Sequence, residues 1–510
     1  MVDLRGKDVT QIYDAILKER NVTSEFFEYS DKSLTHMQNI EKAEAIVTDY
    51  KDKNVCILGD VDTDGATSCA IMYRFLKNDL GFSNVWWTIN KGKAHGLKSQ
   101  DLSRFDGADL LIIVDSLDSD TEQYSKFDIP IVIFDHHIPA VEDYGDNVTL
   151  VSSHYSKNPD LSGAGVVWKF VHYYDTVHGT EYSKQYFDLA TTGIVADMCN
   201  MRSPENRYIC YNGFNNLVNP GLKAILAGYE FNSTSVSFSI ATLINAAVRT
   251  FKNEKAVEIL ISDSNKEIAD IIDSLKECKT SQNKEVQRVI PASNIVEENV
   301  ICMILPDDME YDVTGLIANK VSSEKQKPII ALRDDGDGWR GSMRGYDCED
   351  FSQLCAEAGF AVFGHSNAAG VRIYKDKLES AIERINASYR PAKDKVIECD
   401  VVVNEEDLTP ELYAVVKNID RVSGTGFSPI RFCVVIDDYT VGKCGDGKHL
   451  MIDTDDIKYL YWNWTGNFED MEDCEMFSMP IKMYGTLDSG RWGRAWVNKF
   501  IISDYEVLTE

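Results

Sequence analysis

Three aspartates follow a run of apolar residues near the start of the chain and form its clearest chemical motif. Asp60, Asp62 and Asp64 lie within five residues, directly after residues 55–58. Ionised carboxylates this close repel one another, and a hard divalent cation with oxygen ligands relieves that repulsion. The motif therefore indicates a metal site. For this segment alone, a calcium-type loop or a polar turn is the alternative, although the loop lacks the glutamate of an EF-hand.

Two further apolar runs also end in groups that bind metals. Asp115 ends one run, and Asp135, His136 and His137 end the next. An isolated pair of histidines is more often structural than metal-binding. Three such strand ends together supply carboxylate and imidazole ligands, and this mixed set of oxygen and nitrogen donors suits manganese.

The apolar runs predict how these groups come together. Residues 55–58, 110–114 and 131–134 are uninterrupted apolar segments separated by helix-length stretches, a pattern typical of strands in a buried parallel sheet. Ligands of open α/β sheets bind at the carboxyl ends of the strands. We therefore expect an α/β domain in which the aspartates and histidines converge in one crevice.

Length and composition exclude several classes of protein. A chain of 510 residues predicts more than one domain, and no stretch approaches the ~20 apolar residues of a membrane span. The start lacks the pattern of a signal peptide, so we expect a cytoplasmic location, and the 12 scattered cysteines indicate reduced thiols. The net charge of -30 argues against a broad basic face for duplex DNA. A nucleic acid would need a narrow, locally positive channel.

Taken in order, the motifs resemble those of RecJ-like exonucleases of the DHH phosphoesterase superfamily. Asp135, His136 and His137 match the motif that names the superfamily, and the similarity extends from about residue 50 to the C-terminal part. The segments that carry it are residues 60–68, 114–116, 135–137, 163–166, 188–198, 205–207, 244–249, 340–344, 364–370 and 421–429.

The resemblance implies an α/β fold of several parts. These are a DHH domain with a mainly parallel sheet, a long helical connector, a smaller α/β DHH-associated domain and a C-terminal OB-like β domain. We expect a helical lead-in at 1–50, the DHH catalytic domain at 51–220, the connector at 221–290, the DHH-associated substrate-binding domain at 291–395 and the OB-like domain at 396–510.

Carried over by position, the resemblance also implies two divalent cations, manganese or magnesium, and a set of site residues. The expected metal ligands are Asp62, Asp64, Asp115, His136 and Asp197, with Asp115 bridging the two cations. The residues expected to support catalysis are Asp60, Asp135 and His137. The groups expected to hold substrate phosphates are Asn90, Lys91, Arg249, Ser342, Arg344 and His365.

The implied activity is hydrolysis of single-stranded DNA with 5′ to 3′ polarity by a two-metal mechanism, in DNA repair, recombination or replication. The resemblance allows single-strand-binding or replication proteins as partners, and it implies a monomer without a membrane partner. Two other functions stay open. A DHH phosphodiesterase of short oligonucleotides or cyclic dinucleotides typically has a histidine where this chain has Leu58, and an inactive DHH scaffold protein is expected to have lost metal ligands.

Several positions depart from the family pattern. Lys91 stands where arginine is usual, which removes bidentate recognition of phosphate and keeps the charge. Leu117 and Phe363 replace glycines at positions that shape the expected channel. In the C-terminal part, aromatic side chains either stack on bases or fill the core. They are Tyr459, Tyr461, Trp462, Trp464, Trp492 and Trp496, with Arg491, Arg494 and Lys499 nearby in sequence.

Overall fold

The computed structural model describes residues 2–90, 95–98, 101–391, 398–445, 447–454, 456–492 and 495–508. The side chains of residues 365, 491, 492, 495 and 496 are also outside the description. Within the described ranges, no helix is both long and apolar enough to cross a bilayer.

A lead-in and a first α/β domain contain the predicted parallel sheet. Their elements are β1 (Val2–Asp3), α1 (Val9–Glu19), α2 (Ile40–Asp49), β2 (Asn54–Gly59), α3 (Thr63–Arg74), β3 (Asn84–Ile89), β4 (Leu110–Val114), β5 (Ile131–Asp135), β6 (Val148–Ser152), α4 (Gly163–His178), α5 (Phe187–Ala196) and α6 (Pro204–Asn215). The five strands from β2 to β6 pair in the order β3-β2-β4-β5-β6, and every pair is parallel. The predicted strands are β2, β4 and β5.

The strand order creates a crevice at one edge of this sheet. From β2 the chain moves outward to β3 and then returns to β4 on the other side of β2. In doubly wound sheets such a reversal marks the place where ligands bind, outside the carboxyl ends of the strands. Asp60 and Asp115 directly follow β2 and β4, so the topology places both of them at the crevice.

Both faces of the sheet are buried, which explains the uninterrupted apolar runs. Val55 and Ile57 belong to the main core, in which they pack with residues of α3, α4 and α5. Cys56 and Leu58 point the other way, into a smaller core under the loops that follow β3 and β4. Because alternate residues enter different cores, both sets must be apolar.

A helical connector follows the first domain. Its helices are α7 (Pro220–Leu226), α8 (Ser233–Ser235), α9 (Ala241–Arg249), α10 (Glu254–Ile261) and α11 (Asn265–Ala292). Segments of π-helix join α8 to α9 at Val236–Ile240 and extend α3 at Phe75–Asp79. Shorter 3₁₀ turns lie at Ser24–Phe27, Asp31–Ser33, Leu102–Phe105, Thr121–Lys126, Ser153–Tyr155, Tyr182–Tyr186, Lys375–Lys377, Glu405–Asp407 and Asp420–Val422.

A second α/β domain follows α11. Its elements are β7 (Asn294–Glu297), β8 (Ile301–Ile304), α12 (Thr314–Lys325), β9 (Ile329–Asp334), β10 (Gly338–Arg344), α13 (Phe351–Ala358), β11 (Ala361–His365), β12 (Ala368–Tyr374) and α14 (Leu378–Ser388). The strands pair in the order β11-β12-β10-β9-β8-β7. Two separate cores cover its faces, and Val286 and Val289 of α11 pack into one of them. The connector is therefore also part of this domain's packing.

The C-terminal part forms a mixed eight-stranded sheet. Its elements are β13 (Val401–Val402), α15 (Pro410–Ile419), β14 (Phe432–Ile436), β15 (Thr440–Cys444), β16 (His449–Asp453), β17 (Lys458–Tyr461), α16 (Phe468–Met476), β18 (Ile481–Trp492) and β19 (Ala495–Val507). The strand order is β1-β13-β14-β18-β19-β17-β16-β15, so the lead-in contributes its first strand to this sheet. The main core runs continuously from the first domain through the connector into this part.

Candidate active site

The aspartate loop is a tight connection between β2 and α3. Asp62 is the N-cap of α3, and its carboxylate accepts a hydrogen bond from the backbone N–H of Gly65 at 2.9 Å. Gly65 has to be glycine, because a Cβ there would lie 2.6 Å from the backbone of Asp60. The loop is therefore closed tightly enough to hold Asp60 and Asp62 at the strand end.

Asp64 connects α3 to the start of α4. Its carboxylate accepts hydrogen bonds from the N–H groups of Gly163 at 2.7 Å and Ala164 at 3.0 Å, at the start of α4. A helix N-terminus stabilises negative charge at this position. A Cβ on Gly193 of α5 would lie 2.2 Å from the Asp64 carboxylate, so three helices meet around this buried side chain.

Asp115 has an unusual backbone and a buried carboxylate oxygen without a hydrogen bond. Its φ angle is 56°, a left-handed conformation that asparagine and aspartate tolerate better than most residues. Its Oδ1 atom is buried and has no hydrogen-bond partner among the described residues. A buried carboxylate oxygen without a donor is costly unless a cation is its partner. The observation fits a metal ligand.

His136 lies among three carboxylates. Its Nε2 is 3.2 Å from Oδ1 of Asp115 and 3.9 Å from Oδ2 of Asp64, and its Nδ1 is 3.6 Å from Oδ2 of Asp197. Asp197 is the C-cap that directly follows α5, and its side chain is one-third exposed. The structure thus brings together residues that are 133 positions apart, from Asp64 to Asp197.

Asp135 and His137 form a fixed pair. The Asp135 carboxylate accepts hydrogen bonds from the backbone N–H of His137 at 2.6 Å and of Leu117 at 2.8 Å, and it lies 2.8 Å from Nδ1 of His137. Burial raises the pKa of Asp135, but the bond with His137 outweighs burial and brings the pKa to about 2. Burial lowers the pKa of His137, and the same bond more than compensates and raises the pKa to about 9.

The carboxylates at the strand ends resist simultaneous ionisation. Asp62 reaches solvent at the surface, but its carboxyl is enclosed by the surrounding protein, and this, followed by the charge of Asp60, raises its pKa to about 6. Burial and neighbouring carboxylates raise the pKa values of Asp64 and Asp115 well above the usual range. A divalent cation would remove this conflict, because it converts the repulsion into attraction.

Among the described residues, three groups of side chains have ligand atoms close enough together to hold an ion. Oxygen and imidazole donors without a thiolate suit manganese or magnesium better than a soft metal. The donor set therefore fits the cofactor that the sequence implies. The groups are Asp60, Asp62 and Asp115; Asp64, His136 and Asp197; and Asp115, His136 and His137.

The loop after β3 places one further imidazole at the site, which the sequence did not reveal. His95 lies 3.3 Å from Oδ2 of Asp60 through its Nδ1, and its ring centroid is 4.7 Å from that of His137. A single histidine in a polar loop carries no periodic signal. The clue available was that the loop follows a strand and so ends at the same edge of the sheet as Asp60.

Asn90, one of the expected phosphate contacts, lies beneath the loops that follow β3 and β4. Its side chain is fully buried, and its amide donates hydrogen bonds to Oγ of Ser116 at 3.1 Å and to the carbonyl of Gly96 at 3.3 Å. These bonds tie the loop after β3 to the loop after β4, and Oδ1 of Asn90 has no hydrogen-bond partner among the described residues. The contact of Asn90 with a substrate phosphate stays a prediction. Lys91, the neighbouring expected contact, lies outside the described residues.

The other expected phosphate contacts gather in the second α/β domain and at the end of α9. A Cβ on Gly315, in the first turn of α12, would lie 3.3 Å from an Arg344 Nη and 3.5 Å from Ser342 Oγ. Within the described ranges no side chain caps this helix, so its free N–H groups stand beside both residues. The side chain of the remaining candidate, His365, lies outside the description.

Arg249 adds a second guanidinium to this group. Burial lowers its pKa, nearby Asp312 opposes that effect, and the positive charge of Arg344 lowers the pKa further. Burial also lowers the pKa of Arg344. Two half-buried guanidinium groups beside a helix N-terminus favour an anion between them.

The C-terminal aromatic residues divide between core and surface. Tyr459 is fully buried and packs against Phe500, whereas Trp462 is 43% exposed. Lys499 is buried and paired with Asp488 at 2.6 Å, so it is not free to bind a phosphate. The side chains of Arg491, Arg494, Trp492 and Trp496 lie outside the described part of the chain.

Comparison with known proteins matches this architecture. The model of the DHH family, N-terminal domain, matches residues 54–194, and the DHHA1 domain matches residues 297–390. A relative from Bacillus subtilis (strain 168) has the name "Putative SPbeta prophage-derived single-strand DNA-specific exonuclease YorK". The two chains are 27% identical over 439 residues, which cover 76% of this chain and 75% of the relative. This chain is also 24% identical to the single-stranded-DNA-specific exonuclease RecJ of Escherichia coli (strain K12), covering 73% of each chain.

Among solved structures, RecJ from Thermus thermophilus in complex with Mn²⁺ has a similar fold, with a TM-score of 0.74 and 18% sequence identity. The alignment covers 98% of this chain and 76% of the RecJ chain. The Mg²⁺ complex of RecJ from the same organism aligns with 98% of this chain and 75% of its own, with a TM-score of 0.70 and 20% identity. The chain contains DHH and DHHA1 domains and is RecJ-like in sequence and fold.

The RecJ-like assignment agrees with where the candidate residues lie. The DHH match runs from β2 to near the end of α5 and contains the aspartate loop, Asp115 and both histidines, whereas Asp197 lies just beyond it. The DHHA1 match contains Ser342 and Arg344. Arg249 lies in the connector between the two matched regions. The predicted α/β fold with a mainly parallel first sheet is therefore confirmed.

Proposed function

We propose that this RecJ-like chain is a metal-dependent exonuclease that hydrolyses phosphodiester bonds of single-stranded DNA with 5′ to 3′ polarity. The observation that carries the proposal is the meeting of two ligand groups at Asp115, whose buried Oδ1 lacks a hydrogen-bond partner among the described residues. The two sequence relatives named above, both single-strand-specific exonucleases by their names, support the substrate and the hydrolase class.

In this proposal two cations, manganese or magnesium, share Asp115. One would be held by Asp62 and Asp115 with Asp60 nearby, and the other would be held by the remaining ligands: Asp64, Asp115, His136 and Asp197. When bound, such ions lower the pKa of water and neutralise charge on a phosphoryl group. No protein nucleophile is then required.

The protein's own residues orient the reaction around these positions. Asp135 fixes the ring of His137 through Nδ1, which leaves Nε2 as the nitrogen available to a phosphate oxygen or a transferable proton. The side chain of His137 is 45% exposed, so a substrate can reach it. We assign Asp135 the role of holding His137, and His137 the role of contacting the scissile phosphate.

The second phosphate of the strand would be held at the start of α12. Ser342, Arg344 and Arg249 offer one hydroxyl and two guanidinium groups beside uncapped backbone N–H groups. Phosphate binding by these groups positions the strand but reads no base. His365 and Lys91 stay predicted members of the same channel. A narrow channel of this kind reconciles a DNA substrate with a net charge of -30.

Under the proposal, the matched DHH part is the catalytic domain, expected at 51–220, and the DHH-associated part at 291–395 binds the substrate. The C-terminal sheet at 396–510 would be the OB-like domain. Roles in DNA repair, recombination or replication, and binding to single-strand-binding or replication proteins, belong to the same proposal. An inactive scaffold is disfavoured because the expected ligands are present and gathered.

An assay with end-labelled DNA tests the polarity and the substrate. We expect purified protein with Mn²⁺ to release label first from the 5′ end of a single strand and to leave blunt duplex largely intact. Release of the 3′ label first would contradict the polarity. Activity confined to dinucleotides or cyclic dinucleotides would instead support the second class of DHH phosphodiesterase.

A further inference from the structure

His95 lies near the aspartate loop, and its two ring nitrogens face different kinds of group. Its Nε2 lies 3.0 Å from the backbone carbonyl of Leu117, and its Nδ1 lies 3.3 Å from Oδ2 of Asp60. Only an N–H can point at a carbonyl oxygen within this distance, so Nε2 carries hydrogen. In the neutral ring, Nδ1 then has no hydrogen, and its lone pair points at the carboxylate of Asp60.

A lone pair facing a carboxylate oxygen is repulsive unless a positive charge lies between the two atoms. Ligating histidines usually donate their other N–H to a backbone carbonyl or a carboxylate, which fixes the tautomer and turns the free nitrogen toward the metal. His95 has this arrangement, with the carbonyl of Leu117 as the acceptor.

The distance between Nδ1 of His95 and Oδ2 of Asp60 also suits two ligand atoms of one ion. Two ligand atoms that are each ~2.1 Å from an octahedral cation, at right angles, lie roughly 3 Å apart. The measured separation between Nδ1 of His95 and Oδ2 of Asp60 is 3.3 Å. Asp60 also belongs to a group of ligand atoms with Asp62 and Asp115, and the buried Oδ1 of Asp115 has no hydrogen-bond partner in the described part of the chain.

The protein holds the segment that carries His95 firmly in place. The N–H of Gly96 donates to Oγ of Ser116 at 2.9 Å, and the N–H groups of Leu97 and Lys98 donate to Oδ2 of Asp118 at 3.0 and 2.8 Å. Gly96 has a φ of 69°, and a Cβ there would lie 2.7 Å from the Asp118 carboxylate. These bonds tie residues 96–98 to the loop that follows β4 and so place the neighbouring His95 near the ends of β2 and β4.

We propose that His95, together with Asp60, is a further ligand of the first cation, the one that Asp62 and Asp115 would hold. The inference rests on the proposed two-metal function and deepens it. Each of the two cations then has one imidazole ligand, His95 for the first and His136 for the second. A nitrogen donor favours Mn²⁺ over Mg²⁺ at the first position.

The competing role for His95 is an ion pair that only positions Asp60. A nitrogen atom bound to Mn²⁺ modulates its electron spin echo, whereas a histidine that acts through a carboxylate does not. The variant His136→Ala removes the imidazole of the second position. In that background, nitrogen modulation from a Mn²⁺ ion at the first position reports on His95.

We expect the metal-stripped full-length protein to bind two Mn²⁺ ions in equilibrium dialysis. His136→Ala should keep an ion with nitrogen modulation, and the double variant His95→Ala/His136→Ala should lose that modulation. The single variant His95→Ala should lower the affinity for one of the two Mn²⁺ ions by at least ~100-fold. Loss of a metal ligand should exceed the ~10–100-fold effect of losing a residue that only hydrogen-bonds to a ligand. His36→Ala, at an exposed histidine paired with Glu41, is the matched control and should bind as wild type does.

The outcomes separate the two proposals. Two Mn²⁺ ions bound by His95→Ala with wild-type affinity would overturn ligation by His95. Nitrogen modulation that persists in the double variant would also overturn it and would point to His137 as the nitrogen source. Fewer than two ions bound by the wild-type protein would instead contradict the two-metal function. Circular dichroism and thermal unfolding establish that each variant is folded.

Discussion

Asp115 is the residue on which both proposed metal positions depend. It lies 3.2 Å from His136 Nε2, belongs to two of the three candidate ligand groups found among the described residues, and holds its φ at 56°. Gly163 leaves it room, since a Cβ there would lie 2.6 Å from the Cβ of Asp115. The neighbouring backbone is therefore shaped around this one side chain.

Replacing Asp115 by asparagine tests this dependence with the least disturbance. Asparagine keeps the shape and tolerates the left-handed backbone, but it removes the charge that would be shared by two cations. We expect Asp115→Asn to reduce cleavage of single-stranded DNA by more than ~100-fold, beyond the range of outer ligand partners, with an unchanged circular dichroism spectrum. Asp273→Asn, at an exposed position, is the control. Wild-type rates in Asp115→Asn would remove Asp115 from the mechanism.

The raised carboxyl pKa values predict how the metal-free protein responds to pH. Folding raises the pKa of Asp62 from 3.8 to about 6, and those of Asp64 and Asp115 also rise. A group whose pKa is higher in the folded state stabilises the fold below its unfolded pKa and loses that contribution as pH rises through the folded value. Without metal, this contribution is therefore present near pH 4 and is lost as pH passes about 6.

Thermal unfolding of chelated protein measures this effect. Between pH 4.5 and 7.5, the Tm of the wild type should fall more than that of Asp115→Asn, which has one competing carboxylate fewer. Excess Mn²⁺ at pH 7.5 should raise the wild-type Tm, with about 2.7 kcal/mol per site expected at 100 times the Kd. An equal rise in Asp115→Asn would show that the ion binds elsewhere.

Arg344 tests the proposed phosphate position in the second domain. Removal of its guanidinium should weaken ground-state binding of the strand while leaving the chemistry in place. We expect Arg344→Ala to raise KM about tenfold, equivalent to about 1.4 kcal/mol, with little change in kcat. Arg372→Ala is the control, because Arg372 is exposed and already paired with Asp335 and Asp337. A loss confined to kcat would place Arg344 at the reacting phosphate instead.

At the scale of secondary-structure elements, the site depends on how closely α3, α4 and α5 approach the sheet. Gly193 lies at the centre of this contact, because a Cβ there would lie 2.2 Å from the Asp64 carboxylate and 2.5 Å from the Cβ of Ala164. Asp64 is bonded to the start of α4, so displacement of α5 would move a candidate metal ligand.

Gly193→Ala should therefore destabilise the protein and weaken metal binding together. Overpacking of this kind costs about 1–3 kcal/mol, which denaturant unfolding can measure. Gly442→Ala on β15 is the matched control, since its Cβ would make only an ordinary 3.5 Å contact with Met451. If Gly193→Ala lowers the stability but leaves the affinity for Mn²⁺ unchanged, metal binding does not depend on the packing of α5 at this position.

The elements show which parts of the site the sequence could predict. β2, β4 and β5 were recognisable because both faces are buried, and their end residues, such as Asp115, followed from the topology of parallel sheets. β3 is partly exposed and gave no such run, so the position of His95 in the loop after it was not found. Burial of Asn90 depends on Ser116, a tertiary contact without a sequence signal.

The residues expected to bind phosphate show a second limit of prediction from the sequence. Arg249 and Arg344 are 95 residues apart in sequence, and only resemblance to known motifs connected them. Their proximity comes from the packing of α11 and the second domain, including the bond from the N–H of Asp312 to the carbonyl of Arg249 at 3.3 Å. No local pattern encodes such a contact.

At the scale of the whole molecule, one continuous core joins the first domain, the connector and the C-terminal sheet, and the second α/β domain has cores of its own. The candidate metal ligands lie in the first unit. Of the four expected phosphate contacts whose side chains are described, Ser342 and Arg344 lie in the second. A strand bound to both would bridge two separately packed parts of the chain. Because the net charge is -30, the proposed cations would supply the positive charge that attracts the backbone of the proposed DNA substrate.

The most direct test of the account is to count Mn²⁺ ions per chain while activity returns to the metal-stripped protein. We predict that cleavage of single-stranded DNA appears with the second bound ion and is absent in Asp115→Asn at every Mn²⁺ concentration. Full activity with one ion per chain, or in the presence of excess chelator, would contradict a two-metal site at Asp115.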